Sequence, residues 1–181
     1  LLPGYPRVMD CLKDKRLLTT LTDTGVHGEI KLLEAELPGS GVPLLVIDYP
    51  LFYERDGGPY IDHNGHDWVD NAQRFALLSK VGAILGSSKS PLTWHPDIVQ
   101  CNDWQSGLTP AYLHFSPPPS AATIMTIHNM AFQGTFPASL VKPLGLPASS
   151  YDINGVEYYG QLSFLKAGLF SLVVLAVSLL G

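Results

Sequence analysis

Three short apolar runs, each closed by turn-forming residues, constrain this chain most: Pro43–Asp48, Asp97–Cys101 and Ala122–Ile127. Runs of this length between Gly, Pro, Asn and Asp read as buried strands, as in a parallel sheet. Between the first two, Trp68, Ala72, Phe75, Leu78 and Leu85 recur at helical steps and give one apolar face. Asp67 stands where an N-cap is needed, and Gly86-Ser-Ser follows as a stop. Between the second and third, Trp104, Leu108, Tyr112 and Phe115 predict a helix over 104–115, with Thr109 as cap for a regular part opening at Pro110. Strand, helix, strand, helix, strand is the order of a doubly wound α/β sheet.

The flanks are plainer. Lys13 to Glu36 mixes charge and threonine with weak alternation, which predicts a hairpin at a domain edge. Tyr53 to Asp67 and Gln133 to Gly145 read as Gly/Pro-rich loops, and Tyr158 to Leu169 as a final helix. From Ala167 to Gly181 fifteen residues carry no charge. That is short of the ~20 apolar residues a membrane span requires, so a buried helix end running into the strand LVVLAV is expected.

Charge excludes some partners. Eleven basic residues against sixteen acidic ones give a net charge of −5, with no basic run. A nucleic acid therefore has no electrostatic footprint here, whereas a neutral polymer such as a sugar meets no charge penalty. Cys11 and Cys101 form no metal-ligand spacing, which predicts reduced thiols in a cytosolic protein. The dinucleotide, Walker and nucleophile-elbow patterns do not occur. Asp62-His63-x-x-His66-Asp67 superficially suggests a metal site, but in a Gly/Asn-rich loop it reads as solvated surface.

In an open α/β sheet, ligands bind beyond the carboxyl ends of the strands. That rule singles out Asn102-Asp103-Trp104 after the second strand and His128-Asn129 after the third. If the two strands are neighbours, their polar groups cluster at one rim. Asp103 also reads as the N-cap of the following helix, His128 as a hydrogen-bonded core histidine, and Trp104 as a core ring.

A series of longer matches then occurs in order. Asp56-Gly-Gly-Pro-Tyr60, Asp70-Asn71 with Arg74-Phe-Ala-Leu-Leu78, and Pro96-Asp97 are followed by Asp103-Trp-Gln-Ser-Gly-Leu-Thr-Pro-Ala-Tyr-Leu113. Thr126-Ile-His-Asn-Met-Ala-Phe-Gln-Gly-Thr-Phe-Pro137, Leu144-Gly-Leu-Pro147 and Gly155-Val-Glu-Tyr-Tyr-Gly-Gln-Leu-Ser-Phe-Leu-Lys-Ala-Gly168 complete it. This order resembles the N-terminal half of bacterial ADP-glucose-dependent glycogen synthases and plant starch synthases.

The resemblance implies a GT-B glycosyltransferase: two Rossmann-like domains across a cleft. Such an enzyme moves glucose from ADP-glucose to the non-reducing end of an α-1,4-glucan, with retention of configuration and no metal or other cofactor. It further implies that His128 contacts the transferred glucose, that Asp103 lines the acceptor groove and that Tyr60 packs on the glucan. Asn129 and Gln105, the latter in place of a commoner histidine, complete the implied substrate-binding set. Glu157, Gln161 and Lys166 are assigned supporting roles. The implied domain map is an incomplete acceptor-side domain over 1–169 and an aberrant apolar tail over 170–181. The Lys-x-Gly-Gly-Leu loop and the nucleotide-binding domain of the family have no counterpart in this sequence. The chain alone is thus expected to be inactive, its parent cytoplasmic (or plastidial, in a plant), with no nucleic-acid or membrane partner. A non-catalytic glucan-binding module and a non-functional truncated product are the alternatives.

Overall fold

The charged stretch from Lys13 to Glu36 folds as the expected hairpin and supplies one edge of a mixed sheet. A computed structural model describes residues 1–171 and, for the backbone only, 174–177. The chain divides into two compact units, Leu1–Leu78 and the part from Ser79 onward.

In the first unit, β1 (Leu2–Pro3), α1 (Pro6–Cys11), β2 (Arg16–Leu21), β3 (Ile30–Glu36) and β4 (Pro43–Asp48) form a sheet of order β1-β4-β3-β2. All four apolar residues of β3, Ile30, Leu32, Leu33 and Ala35, are buried, while Lys31 and Glu36 are exposed. Leu33, Ala35 and Val46 close over Leu12 with Val8, Met9 and Leu44 around them. The β4 run is parallel only to β1; against β3 it is antiparallel. Local composition could not show this, because the choice of partner is made by the hairpin beside it.

A short helix, α2 (Pro50–Tyr53), leads into the Gly/Pro-rich segment, which is pinned by bridges between Gly57 and Asp62 and between Ile61 and Asp67. Asp67 is therefore not a helix cap. The helix α3 (Asn71–Leu85) begins later. Trp68 stays outside it and donates its indole N–H to the Gly58 carbonyl at 3.0 Å. Residues of α3 up to Leu78 belong to the first unit and the rest to the second.

The second unit contains β5 (Ile98–Asn102), a 3-10 turn over Trp104–Ser106, α4 (Leu108–His114), β6 (Ala122–Ile127), β7 (Thr135–Pro137), β8 (Glu157–Tyr158), β9 (Gln161–Ser163), α5 (Phe164–Ser171) and β10 (Val174–Val177). A parallel sheet runs β10-β6-β5, and a small antiparallel one runs β7-β9-β8. The result is a mixed α/β architecture with parallel-sheet elements, but the three runs do not share the one doubly wound sheet that their order predicts: β4 pairs with β1 and β3, whereas β5 and β6 pair with each other and β6 also with β10.

Two further expectations fail locally. Thr109 lies inside α4, buried, and donates its hydroxyl to the Ser79 carbonyl at 3.1 Å, so it caps nothing. The helix predicted from Tyr158 begins only at Phe164, because Glu157 to Ser163 forms a hairpin whose second strand also pairs with β7. The expected passage from helix end to strand is present as α5 and β10; Leu172, Val173 and 178–181 lie outside the described residues. Among the described residues no helix is long and apolar enough to cross a membrane.

Cys101, Met125, Ile127 and Leu165 form the core under the parallel sheet, with Val99, Trp104 and Leu169 packed against it. Glycine lets the elements come this close. A Cβ on Gly107 would sit 2.2 Å from the Phe164 carbonyl oxygen, and one on Gly168 would sit 3.0 Å from the Gly107 oxygen.

Candidate active site

Strands β5 and β6 are direct parallel neighbours, with Asn102 opposite Thr126. The next residue of one strand is Asp103, and the second residue past that register on the other is His128. Asp103 donates its backbone N–H to the Thr126 carbonyl at 2.9 Å and adopts φ 54° and ψ −172°. That conformation is uncommon for a residue with a Cβ.

The Asp103 carboxylate makes no cap bond to the 3-10 turn. One oxygen accepts the His128 backbone N–H at 2.7 Å, and the other lies 2.8 Å from His128 Nδ1. A carboxylate can only accept, so Nδ1 carries the proton and Nε2 is the acceptor of the neutral ring. The two side chains are partly open to solvent, 39% for the histidine and 27% for the aspartate. His128 is thus not a core histidine, and Asp103 is not a helix cap. The pair forms an oriented, accessible acid–base group at the rim of the sheet.

Around the pair, Asn129 uses its side-chain oxygen to accept the Ala131 N–H at 2.9 Å. Gln105 is half-buried, and its main-chain carbonyl accepts the Ser79 hydroxyl at 3.4 Å. The Trp104 ring packs as a core residue, with centroids 5.9 Å from Phe136 and 6.3 Å from Phe164. The second-unit residues Asp103, Gln105, His128 and Asn129 therefore occupy two neighbouring strand tips. Tyr60 belongs to the first unit, where its ring is 41% exposed and stacks at a tilt on Phe75, centroids 5.5 Å apart.

Sequence reasoning missed what holds Tyr60. Arg74 is only 1% exposed. Its guanidinium donates to the Phe52 carbonyl at 2.9 Å, the Pro59 carbonyl at 2.8 Å and the Asn71 side-chain oxygen at 2.8 Å. The Tyr60 carbonyl accepts the Trp68 N–H and the Asn71 amide, which extends the same lattice. Burial lowers the Arg74 pKa, with Tyr5 pulling the other way. The available signal was its position on α3, next to Phe75 and three residues past Asn71, where a solvated arginine would not be placed.

Lys166, assigned a supporting role, fits that assignment. Its ammonium donates to the Ile153 carbonyl at 2.6 Å and to that of Glu157, tying the preceding loop to α5. Burial also pushes the Cys101 thiol up to about 11, against a smaller opposing pull from the Thr109 hydroxyl.

Residues 1–179 match the family described as the starch synthase catalytic domain. Similar relatives include the glycogen synthase of Nitrosospira multiformis, 56% identical over 173 residues, which cover 94% of this chain and 35% of that protein. The glycogen synthase of Nitrosomonas eutropha is 54% identical, with 94% and 34% covered. That of Paramagnetospirillum magneticum is 52% identical over 172 residues, with 94% and 35% covered. The chain spans about a third of the length of these curated relatives.

Proposed function

The chain belongs to the starch synthase catalytic domain family, and from that premise we propose that it is the acceptor-side part of a GT-B glucosyltransferase. The whole protein moves glucose from ADP-glucose to the non-reducing end of an α-1,4-glucan, with retention of configuration and in the cytosol. It calls on no cofactor beyond the donor itself. Activity requires the further length carried by the relatives, and the segment alone transfers no glucose.

The observation that carries this reading is the Asp103–His128 pair at adjacent strand tips. As ADP departs, positive charge builds on the anomeric carbon and ring oxygen of the glucose. Nε2 of the neutral imidazole accepts a hydrogen bond from a hydroxyl of that glucose and fixes its orientation. The Asp103 carboxylate holds the ring in this tautomer and adds a negative charge behind it, favourable to an oxocarbenium-like state. Tyr60 offers a ring face to the C–H surface of an acceptor glucose, while Asn129 and Gln105 contribute polar contacts.

Radiolabelled ADP-glucose and glycogen test this directly. The full-length protein is expected to incorporate label, and this segment by itself is not. His128→Ala in the full-length protein should lower turnover by about 10²–10³, the scale of one positioned polar contact at a reacting centre. Wild-type turnover in that variant would remove His128 from the reaction.

A further inference from the structure

We propose that Phe132, with Met130 beside it, forms an additional acceptor platform that binds a neutral glucan next to the Asp103–His128 pair. The proposal rests on the glucosyltransferase reading above and assigns the segment that follows His128 a task of its own.

The loop from His128 to Gly134 is fixed at both ends. At its start, the Asp103 carboxylate holds the His128 backbone N–H and ring. At its end, Gly134 has φ +58° and lies so close to Trp104 that a Cβ there would meet the indole at 2.4 Å. The Gln133 carbonyl accepts the Leu165 N–H and the Ser163 hydroxyl, each at 3.1 Å, and the Gly134 carbonyl accepts the Phe164 N–H at 3.0 Å. Between these anchors, Asn129 binds the Ala131 N–H and the Gln133 amide donates to the Met130 carbonyl at 2.7 Å.

A backbone held this firmly nevertheless turns Phe132 and Met130 outward, 62% and 58% exposed. Single exposed apolar residues are ordinary on protein surfaces. Here two of them stand within four positions of the histidine, on a loop whose anchors include the site itself.

Charge selects the occupant. From Asn129 to Val141 the sequence contains no charged side chain, and the carboxylate bonded to His128 at the start of the loop is an aspartate. The diphosphate of a nucleotide sugar finds no cation in this segment. A glucan is neutral, and each of its rings offers C–H surface to an aromatic side chain and hydroxyl edges to histidine and amide groups. The mix of Phe132 and Met130 with His128 and Asn129 matches that surface.

The test uses the full-length protein containing this segment, with maltoheptaose as acceptor. Phe132→Ala should raise the KM for maltoheptaose about tenfold, the scale of losing one aromatic anchor, and leave the KM for ADP-glucose within about twofold. Phe132→Tyr keeps the ring and should restore acceptor KM to within about twofold of wild type. The thermal midpoint should be unchanged, because the side chain is exposed. An unchanged acceptor KM, or equal rises in both KM values, would overturn the platform. So would a lowered midpoint, because Phe132 would then be covered by another part of the protein. A wild-type protein that transfers no glucose to maltoheptaose would instead remove the glucosyltransferase reading, and the platform with it.

Discussion

Asp103→Asn separates the charge of the site from its shape. Asparagine carries the same Cβ and nearly the same shape as aspartate, so the backbone at φ 54° and ψ −172° meets no strain that the wild type lacks. Its carbonyl oxygen can still accept the His128 N–H, now bound at 2.7 Å, but its amide then presents a donor where Nδ1 needs an acceptor. The ring proton moves to Nε2, and the edge that accepted from the sugar becomes a donor. Hydrogen bonds to a charged group contribute about 1.5–3 kcal/mol when well shielded. This pair is partly exposed, which puts the stability loss at the low end, about 1–2 kcal/mol. Turnover of the full-length protein should fall much further, by about 10²–10⁴, because the wrong edge of the ring faces the substrate. Nitrogen-15 NMR of the labelled chain reads the tautomer directly. The wild type should show a protonated Nδ1 and a bare Nε2, and the variant the reverse. An Asp103→Asn protein with Nδ1 still protonated, or with wild-type turnover, would refute the reasoning.

Other consequences are open to simpler assays. Arg74→Met strands acceptors of Phe52, Pro59 and Asn71, and should cost about 3–5 kcal/mol in urea unfolding. Arg74→Lys should recover little of this, because an ammonium cannot span the fork; a loss below ~1 kcal/mol in either would contradict the lattice. With an exposed Cys11 and a Cys101 thiol pushed up to about 11, a thiol reagent at pH 8 should modify one cysteine in the native chain and both after unfolding. The folded state holds the Cys101 proton more tightly than the unfolded chain. Its contribution to stability is therefore complete below the usual thiol value of 9.0 and fades as pH climbs toward 11. Gly107→Ala should cost ~3 kcal/mol or more, since the Phe164 carbonyl cannot move away without shifting α5; a thermal midpoint equal to wild type would show that it can.

The sheet that carries the site was legible because its strands are short, apolar and punctuated. Asp97–Cys101 and Ala122–Ile127 needed only local pattern to be found, and their C-terminal neighbours Asp103 and His128 followed from the rule about strand ends. Their mutual hydrogen bonds were not legible, since these depend on strand order and on the unusual backbone of Asp103. Tyr158, Leu162, Leu165 and Leu169 imitate helical spacing, yet the left-handed turn at Tyr159 and Gly160 folds the first part into a hairpin. Pairing of Gln161–Ser163 with Thr135–Pro137 joins residues far apart in sequence, which no local window contains. Arg74 was hidden for another reason. A basic residue on a helix is normally solvated, and only the carbonyls gathered around it from Phe52 and Pro59 explain its burial. The placement of Tyr60 was readable as an aromatic in a Gly/Pro-rich segment, but the arginine lattice that fixes it was not.

Strand β6 has its two flanks covered at very different moments of the protein's synthesis. Its β5 flank is available as soon as it emerges, whereas the residues that pair with its other flank lie about 50 positions downstream. At about 5–20 residues per second on the ribosome, the strand that leads into His128 waits several seconds with a row of unpaired amides and carbonyls facing outward. A nascent chain stalled in that interval is the form most prone to stick to a neighbour. Ribosome display with stall sites before and after Val177 should show chaperone occupancy dropping once β10 has cleared the tunnel.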